Sequence, residues 1–188
     1  MKTIYIERSS GHGRDGDWVE HLDLENVDRI VVGTGPGSFA GIRSAIAFAK
    51  GFALGRHCEV LGLPSPCAVA AQLMGTDPKK LGTVLTRLAV VGDARCGKIW
   101  IALFEGYNMK CDIFQEDREK LRGTVPNDFK VVTTDEDRIG GLLKEIYGER
   151  YLGGLSPTDE GLRMFAEKNP AALKPNPLPI YLNPAVRG

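Results

Sequence analysis

The 188 residues hold as many Lys plus Arg as Asp plus Glu, 24 of each, so there is no surplus of either sign. A chain without a basic excess lacks the electrostatic footprint of a protein that grips a phosphate backbone by itself. Histidine is scarce, at three, and His12, His21 and His57 form neither H-x-x-x-H nor H-E-x-x-H, so no metal site is argued by spacing. The four cysteines, Cys58, Cys67, Cys96 and Cys111, include no C-x-x-C pair, which predicts free, buried thiols in a reducing compartment. No apolar stretch reaches the length of a membrane span, since Val60–Thr76 is broken by Pro64 and Pro66. The first seventeen residues hold no apolar run of signal-peptide length. The expectation is a soluble, cytoplasmic protein with no membrane partner.

What is present is concentrated in Val31–Gly55, an apolar strand, a glycine-proline turn and a helix from Phe39 to Leu54. Arg43, Ser44 and Lys50 are its only clearly polar side chains, and Arg43 and Lys50 fall on one narrow strip. A helix so apolar must be covered on nearly every side, by its own sheet and by something else.

Around it the pattern is α/β. Thr3–Glu7 reads as a first strand, Trp18–Leu24 as a partner strand, Asp28–Gly33 as a buried strand and Glu59–Gly62 as a brief one. Ser65-Pro66 starts a helix to Met74. Gly75–Gly82 is polar and rich in turn formers, and marks a boundary between residues 1–80 and 81–188. Val84–Val91 and Lys98–Phe104 flank a hairpin turn at Asp93–Gly97, Tyr107–Gln115 adds a third strand, and Glu116–Asp128 reads as loop. Lys130–Thr133 and Tyr151–Gly154 are further strands. Thr134-x-x-Asp137 and Ser156-Pro157-Thr158-Asp159 are helix starts. The tail from Asn169 holds five of the eleven prolines and reads as extended. Two small lobes follow, each opening with a strand hairpin.

Chemistry is harder to find. Gly33-Thr34-Gly35-Pro36-Gly37 lacks the Gly-Lys-Ser/Thr end of a Walker loop, and Ser38 stands where a Rossmann fingerprint needs its third glycine. Glu7 and Asp93 close the first strand of each lobe, where an ATP-handling fold of the actin and sugar-kinase type places acids. Turn and strand-end roles are the favoured reading of both. No catalytic residue is assigned.

Gly35-Pro36-Gly37-Ser38-Phe39-Ala40-Gly41-Ile42-Arg43 resembles the hallmark of the bacterial TsaB (YeaZ) family, GPGSF-T-G-hydrophobic-R before an alanine-rich helix. The similarity continues through Ala49–Ala53, Leu61–Ser65, Asp93-Ala94-Arg95 and Pro179–Leu182, in family order. The resemblance implies two RNase H-like lobes of the actin-like superfamily. It implies a non-catalytic partner of TsaD, which transfers threonylcarbamoyl to the adenosine beside a tRNA anticodon, with the ATPase TsaE assisting. It leaves tRNA contacted only indirectly, no cofactor on this chain alone, and ATP or ADP to a partner interface. The turn motif is Gly35, Pro36, Gly37 and Gly41. Ser38, Phe39, Ile42, Arg43, Ile46 and Lys50 would meet TsaD or a second copy. The alternatives are an actin-like kinase or ATPase using Glu7 and Asp93, and a homodimeric paralogue. The family's old peptidase label would need a metal site that the histidines do not supply. Departures are Ile6-Glu7-Arg8-Ser9 in place of Ile-Asp-Thr-Ser, Ala40 for threonine, Asn183 for arginine, and too few residues between Trp18 and Val27 for a long first helix.

Overall fold

Apolar β-branched runs bury on both faces when helices cover a parallel sheet, and the run Arg29–Gly33 does so in the computed structural model of the chain. The structure describes residues 1–10, 16–76 and 84–182. His12, most of the 75–82 boundary and Asn183 lie outside the described residues. The chain forms two units, residues 1–68 with 157–180 and residues 69–156 with 181–188.

In the first unit, β1 (Thr3–Ile6) runs parallel to β2 (Arg29–Gly33), which runs parallel to β3 (Glu59–Leu63). Helix α1 (Phe39–Ala53) connects β2 to β3, and α2 begins at Ser65 and runs to Met74. Ile6, Ile30, Val32, Ile42, Ala45, Ile46 and Ala49 make the core between sheet and α1.

The expected hairpin at the start of this unit is absent. Residues 18–24 form no strand: Gly16–Val19 is one 3-10 turn, and Leu22 N donates to Val19 O at 3.1 Å. Their apolar side chains are spaced irregularly and turn toward α1 instead. Trp18 meets Phe48 edge-on with ring centroids 5.2 Å apart, and Leu22 and Val27 join the core. Three well-placed side chains thus fill the space beside α1 in a segment too short for a helix.

The segment 157–180, read from sequence as part of a second lobe, belongs to the first unit. Helix α5 (Asp159–Lys168) packs on β1, and Asp159 Oδ1 accepts the Glu7 amide at 2.5 Å. Its cap is Thr158, whose Oγ1 accepts from Gly161 N at 3.0 Å, two residues later than Ser156-Pro157 suggested. The extended tail lies along β3, with Lys174 and Pro175 opposite Gly62 and Leu61, and Ile180 N bonded to Thr34 O at 2.9 Å.

The second unit carries β4 (Arg87–Arg95) and β5 (Lys98–Glu105) as the expected antiparallel hairpin. The third strand is split into β6 (Asn108–Met109) and β7 (Phe114–Asp117), both on β5. β8 (Lys130–Thr133) runs parallel to β4, and β9 (Tyr151–Gly154) parallel to β8. Residues 118–128 are not all loop, since a 3-10 turn leads into the short α3 (Leu121–Thr124), whose Leu121 is buried. The Thr134 capping box does not form. Asp135 Oδ2 is drawn to the Asp93 amide and Thr134 Oγ1, both at 3.0 Å, and a wide π turn, Glu136–Gly140, feeds α4 (Gly141–Tyr147). The cysteines are all free, but only Cys67 is buried; Cys58 is half-buried, and Cys96 and Cys111 are exposed. No helix among the described residues is long and apolar enough to cross a membrane.

Candidate functional site

A phosphate cradle needs backbone amides that converge on empty space. In the turn that opens α1 these amides are spent on protein. Thr34 N donates to Leu63 O at 2.9 Å, Gly35 N to Ser65 Oγ at 3.0 Å and Ser38 N to Ser9 O at 2.6 Å. Ser38 then caps the helix, its Oγ accepting from Gly41 N. The turn fits so closely that a Cβ at Gly41 would overlap the Arg8 carbonyl oxygen, and one at Gly33 would overlap the Glu7 carboxylate. Gly33, Gly37 and Gly41 therefore let residues 7–9 lie directly against this turn and the start of α1.

Glu7 is only 3% exposed. Its Oε1 accepts the Ser9 amide at 2.7 Å, while Oε2 has no hydrogen-bond partner. Burial pushes its carboxyl above the ordinary range; Ser9 and Ser65 pull partly the other way, and the charge of Asp159 adds to the rise. Asp93 in the second unit is held differently. Its Oδ1 accepts Arg95 N at 3.0 Å and Arg118 Nη2 at 2.8 Å, and its Oδ2 lies 3.4 Å from Arg138 Nη1. Burial opposes its charge, but these donors outweigh that and hold the carboxyl below its ordinary value. Both acids are committed to holding their own units together. Among the described residues no group of three or more His, Cys, Asp or Glu is placed to hold a metal ion.

Helix α1 carries the remaining candidates. At about 100° per residue its side chains sort into three arcs. Ile42, Ala45, Ile46 and Ala49 are buried on the sheet. Phe48 and Phe52 are half-buried, Phe48 against Trp18 and Phe52 under the guanidinium of Arg56 at 4.3 Å. The outer arc, roughly 140° wide, is uncovered among the described residues. It presents Phe39, Ala40, Arg43, Ser44, Ala47, Lys50 and Gly51, continued by Leu54 just past the helix end. Phe39 and Leu54 are 57% and 79% exposed.

The structure thus brings together Phe39, Arg43 and Lys50 of the residues proposed from sequence, with Arg43 4.8 Å above the Phe39 ring. Ser38 is the cap at the end of the arc. Ile42 and Ile46 do not belong to this surface: they are 2% and 6% exposed, being turned about 100° and about 60° round the helix from Arg43 and packed into the core against the sheet. Ala40, Ser44, Ala47, Gly51 and Leu54 were missed. The signal was available, since the two cations mark the solvent side and these five lie on the same side of the helical wheel.

Comparison with known proteins follows the same lines. Residues 20–120, more than half of the chain, match the family model described as TsaD, tRNA N6-adenosine threonylcarbamoyltransferase. The chain is 32% identical over 82 residues to the tRNA threonylcarbamoyladenosine biosynthesis protein TsaB of Escherichia coli K12, an alignment covering 44% of this chain. The match spans about a third of the relative's length, 33%. Among solved structures it is similar to YeaZ from Pseudomonas aeruginosa, with TM-score 0.66 and 23% identity, covering 87% of this chain and 78% of that one. A second structure, of an uncharacterised protein with similarity to peptidase YeaZ from Pseudomonas aeruginosa, gives TM-score 0.66 and 22% identity over 88% and 78%. These likenesses establish the fold, α/β and RNase H-like. The chain belongs to the TsaD (tRNA N6-adenosine threonylcarbamoyltransferase) family, and within it resembles TsaB (YeaZ).

Proposed function

We propose that this chain is a non-catalytic, cytoplasmic accessory subunit that supports a TsaD-type transferase in the threonylcarbamoyl modification of tRNA, and that it docks through the outer arc of α1. The observation that carries this reading is the uncovered arc itself. A helix of this apolar content keeps Phe39 and Leu54 in water while its opposite side is fully packed. The commitment of Glu7 to the Ser9 amide and of Asp93 to Arg118 and Arg138 supports a supporting role over a phosphoryl-transfer role. On this reading tRNA is met through the partner, ATP or ADP belongs to the partner interface, and a TsaE-like ATPase is the further component.

Co-expression of the full chain with the TsaD-type protein of the same organism tests it. A complex should co-purify, and depletion of the chain should lower the threonylcarbamoyl content of tRNA. Ala47→Glu should abolish the complex while leaving the fold intact, since Ala47 is exposed. Ile46→Glu should instead unfold the chain by burying a carboxylate without a partner. No complex, together with unchanged tRNA, defeats the proposal.

A further inference from the structure

Because residues 18–24 form no strand, β1 stands at the end of its sheet, in the order β1-β2-β3 followed by the strap at Lys174-Pro175. Backbone groups alternate sides along a strand. Lys2 points both of its groups toward β2: its amide donates to Asp28 Oδ2 at 2.6 Å, and its carbonyl accepts from Asp28 N at 2.9 Å. Ile4 and Ile6 therefore serve the β2 ladder, and Thr3, Tyr5 and Glu7 face outward. Glu7 is closed off, since its amide donates to Asp159 Oδ1 at 2.5 Å. Thr3 and Tyr5 remain, and among the described residues their outward amides and carbonyls have no partner.

A sheet edge is ordinarily guarded by charge or proline. Thr3–Ile6 contains neither, and the charged residues on either side of it are engaged elsewhere. Lys2 Nζ is held by Asp23 Oδ2 at 2.6 Å and Glu25 O at 2.7 Å, and Glu7 is 3% exposed. We propose that this open edge pairs with β1 of a second copy of the chain, antiparallel across a two-fold axis at Ile4, joining the two first-unit sheets into one. The count of open groups dictates the register. With Ile4 opposite Ile4 of the second copy, Thr3 faces Tyr5 and Tyr5 faces Thr3, each pair exchanging two hydrogen bonds, so every open group is satisfied. A shift of two residues one way sets Thr3 against Glu7, whose amide is spent on Asp159, and the other way sets Tyr5 against Met1, outside the strand. The axis stands perpendicular to the sheet, so like faces stay together. Ile4 and Ile6 lie on the α1 side, in the core with Ile42 and Ile46, and Tyr5 lies on the other side, close to Arg163 and Glu167 of α5. The pairing therefore brings the two α5 helices to one face of the joined sheet, and it uses no residue of the outer arc of α1.

Sedimentation velocity of the full chain between about 1 and about 100 µM should show a concentration-dependent dimer, since an interface this small binds on the order of 10 µM. Thr3→Pro removes one outward donor per copy and spares the β2 ladder, because Thr3 stands first in an edge strand with its amide pointing outward. It should weaken the dimer about tenfold or more while unfolding stays cooperative. Ala47→Glu, on the outer arc of α1, should leave the dimer intact. Hydrogen exchange at the Thr3 and Tyr5 amides should be fast in the dilute monomer and slow in the concentrated dimer. A chain that stays monomeric across the range overturns the proposal, as does a dimer that Ala47→Glu dissociates or that Thr3→Pro leaves unchanged. Exchange decides if Thr3→Pro does not fold: amides equally fast in dimer and monomer, or already slow in the monomer, defeat the pairing.

Discussion

Glu7 and Asp93 end the first strand of their respective units, yet their surroundings are opposites. Glu7 is enclosed by glycine backbone and serines, with one oxygen unpartnered and its carboxyl pushed up by burial. Asp93 is less deeply set, though its side chain is only 5% exposed; two guanidiniums and a backbone amide surround it, and its carboxyl is held down. Acids near the end of the first strand of each unit thus act as two different structural devices. One is an acid that burial favours in its neutral form, filling the gap beside Gly33. The other is an anion that ties a hairpin turn, the turn after β7 and the π turn together. The difference teaches that an acid at a strand end is a poor guide to catalysis unless its other contacts are known.

The contrast can be broken most severely at Asp93. Asp93→Ala leaves Arg118 and Arg138 facing each other with nothing between them, and should cost about 3 kcal/mol by urea unfolding, less than a fully buried pair because both arginines reach water. Next in size is Gly33→Ala. The new methyl collides with the Glu7 carboxylate, a loss of about 2 kcal/mol that Glu7→Ala in the same chain should largely restore. Failure of that rescue would show that Glu7 does not fill the space above Gly33.

Glu7→Gln should act in the other direction, raising stability at pH 8. The sign follows from linkage. A carboxyl raised in the folded state costs nothing below its unfolded value near 4.5, and progressively more as pH climbs through the raised one. Melting curves of Glu7→Gln and wild type should therefore coincide near pH 4 and separate upward. Asp93→Asn should behave inversely. It should be weaker than wild type at neutral pH, with the gap closing as pH falls below the unfolded value of 3.8 and through the lowered folded one. Smallest of all is Arg138→Ala, about 0.5 kcal/mol, since that arm of the clamp is longer and half in water.

Much of the fold was legible because local chemistry wrote it. Ser38 and the glycines around it fix the start of α1, Ser156-Pro157-Thr158-Asp159 announces α5 to within two residues, and the β-branched runs on either side of Asp93–Gly97 fix the hairpin. Non-local decisions were not legible. Nothing in Trp18–Leu24 reports that its side chains are used against α1 in place of strand pairing. Nothing near residue 157 reports that the chain returns to β1. Thr134-x-x-Asp137 has the form of a helix start, but Asp135 within it is claimed by the Asp93 amide, 42 residues away. On α1 the choice of face turned on two cations, and Ile42 and Ile46 were misplaced because an almost wholly apolar helix offers so few polar markers of its solvent side.

The return of residues 157–180 to β1 and β3 sets an order on the birth of this protein. The second unit is one continuous stretch from Val69 to Ser156 apart from its last few residues, whereas the first is closed by α5 and by the strap at Lys174–Ile180. On the ribosome, which delivers residues in chain order, β1 and β2 emerge early yet must wait for α5 until residues 69–156 have been made. The second unit can fold while the first still lacks the helix that packs on β1.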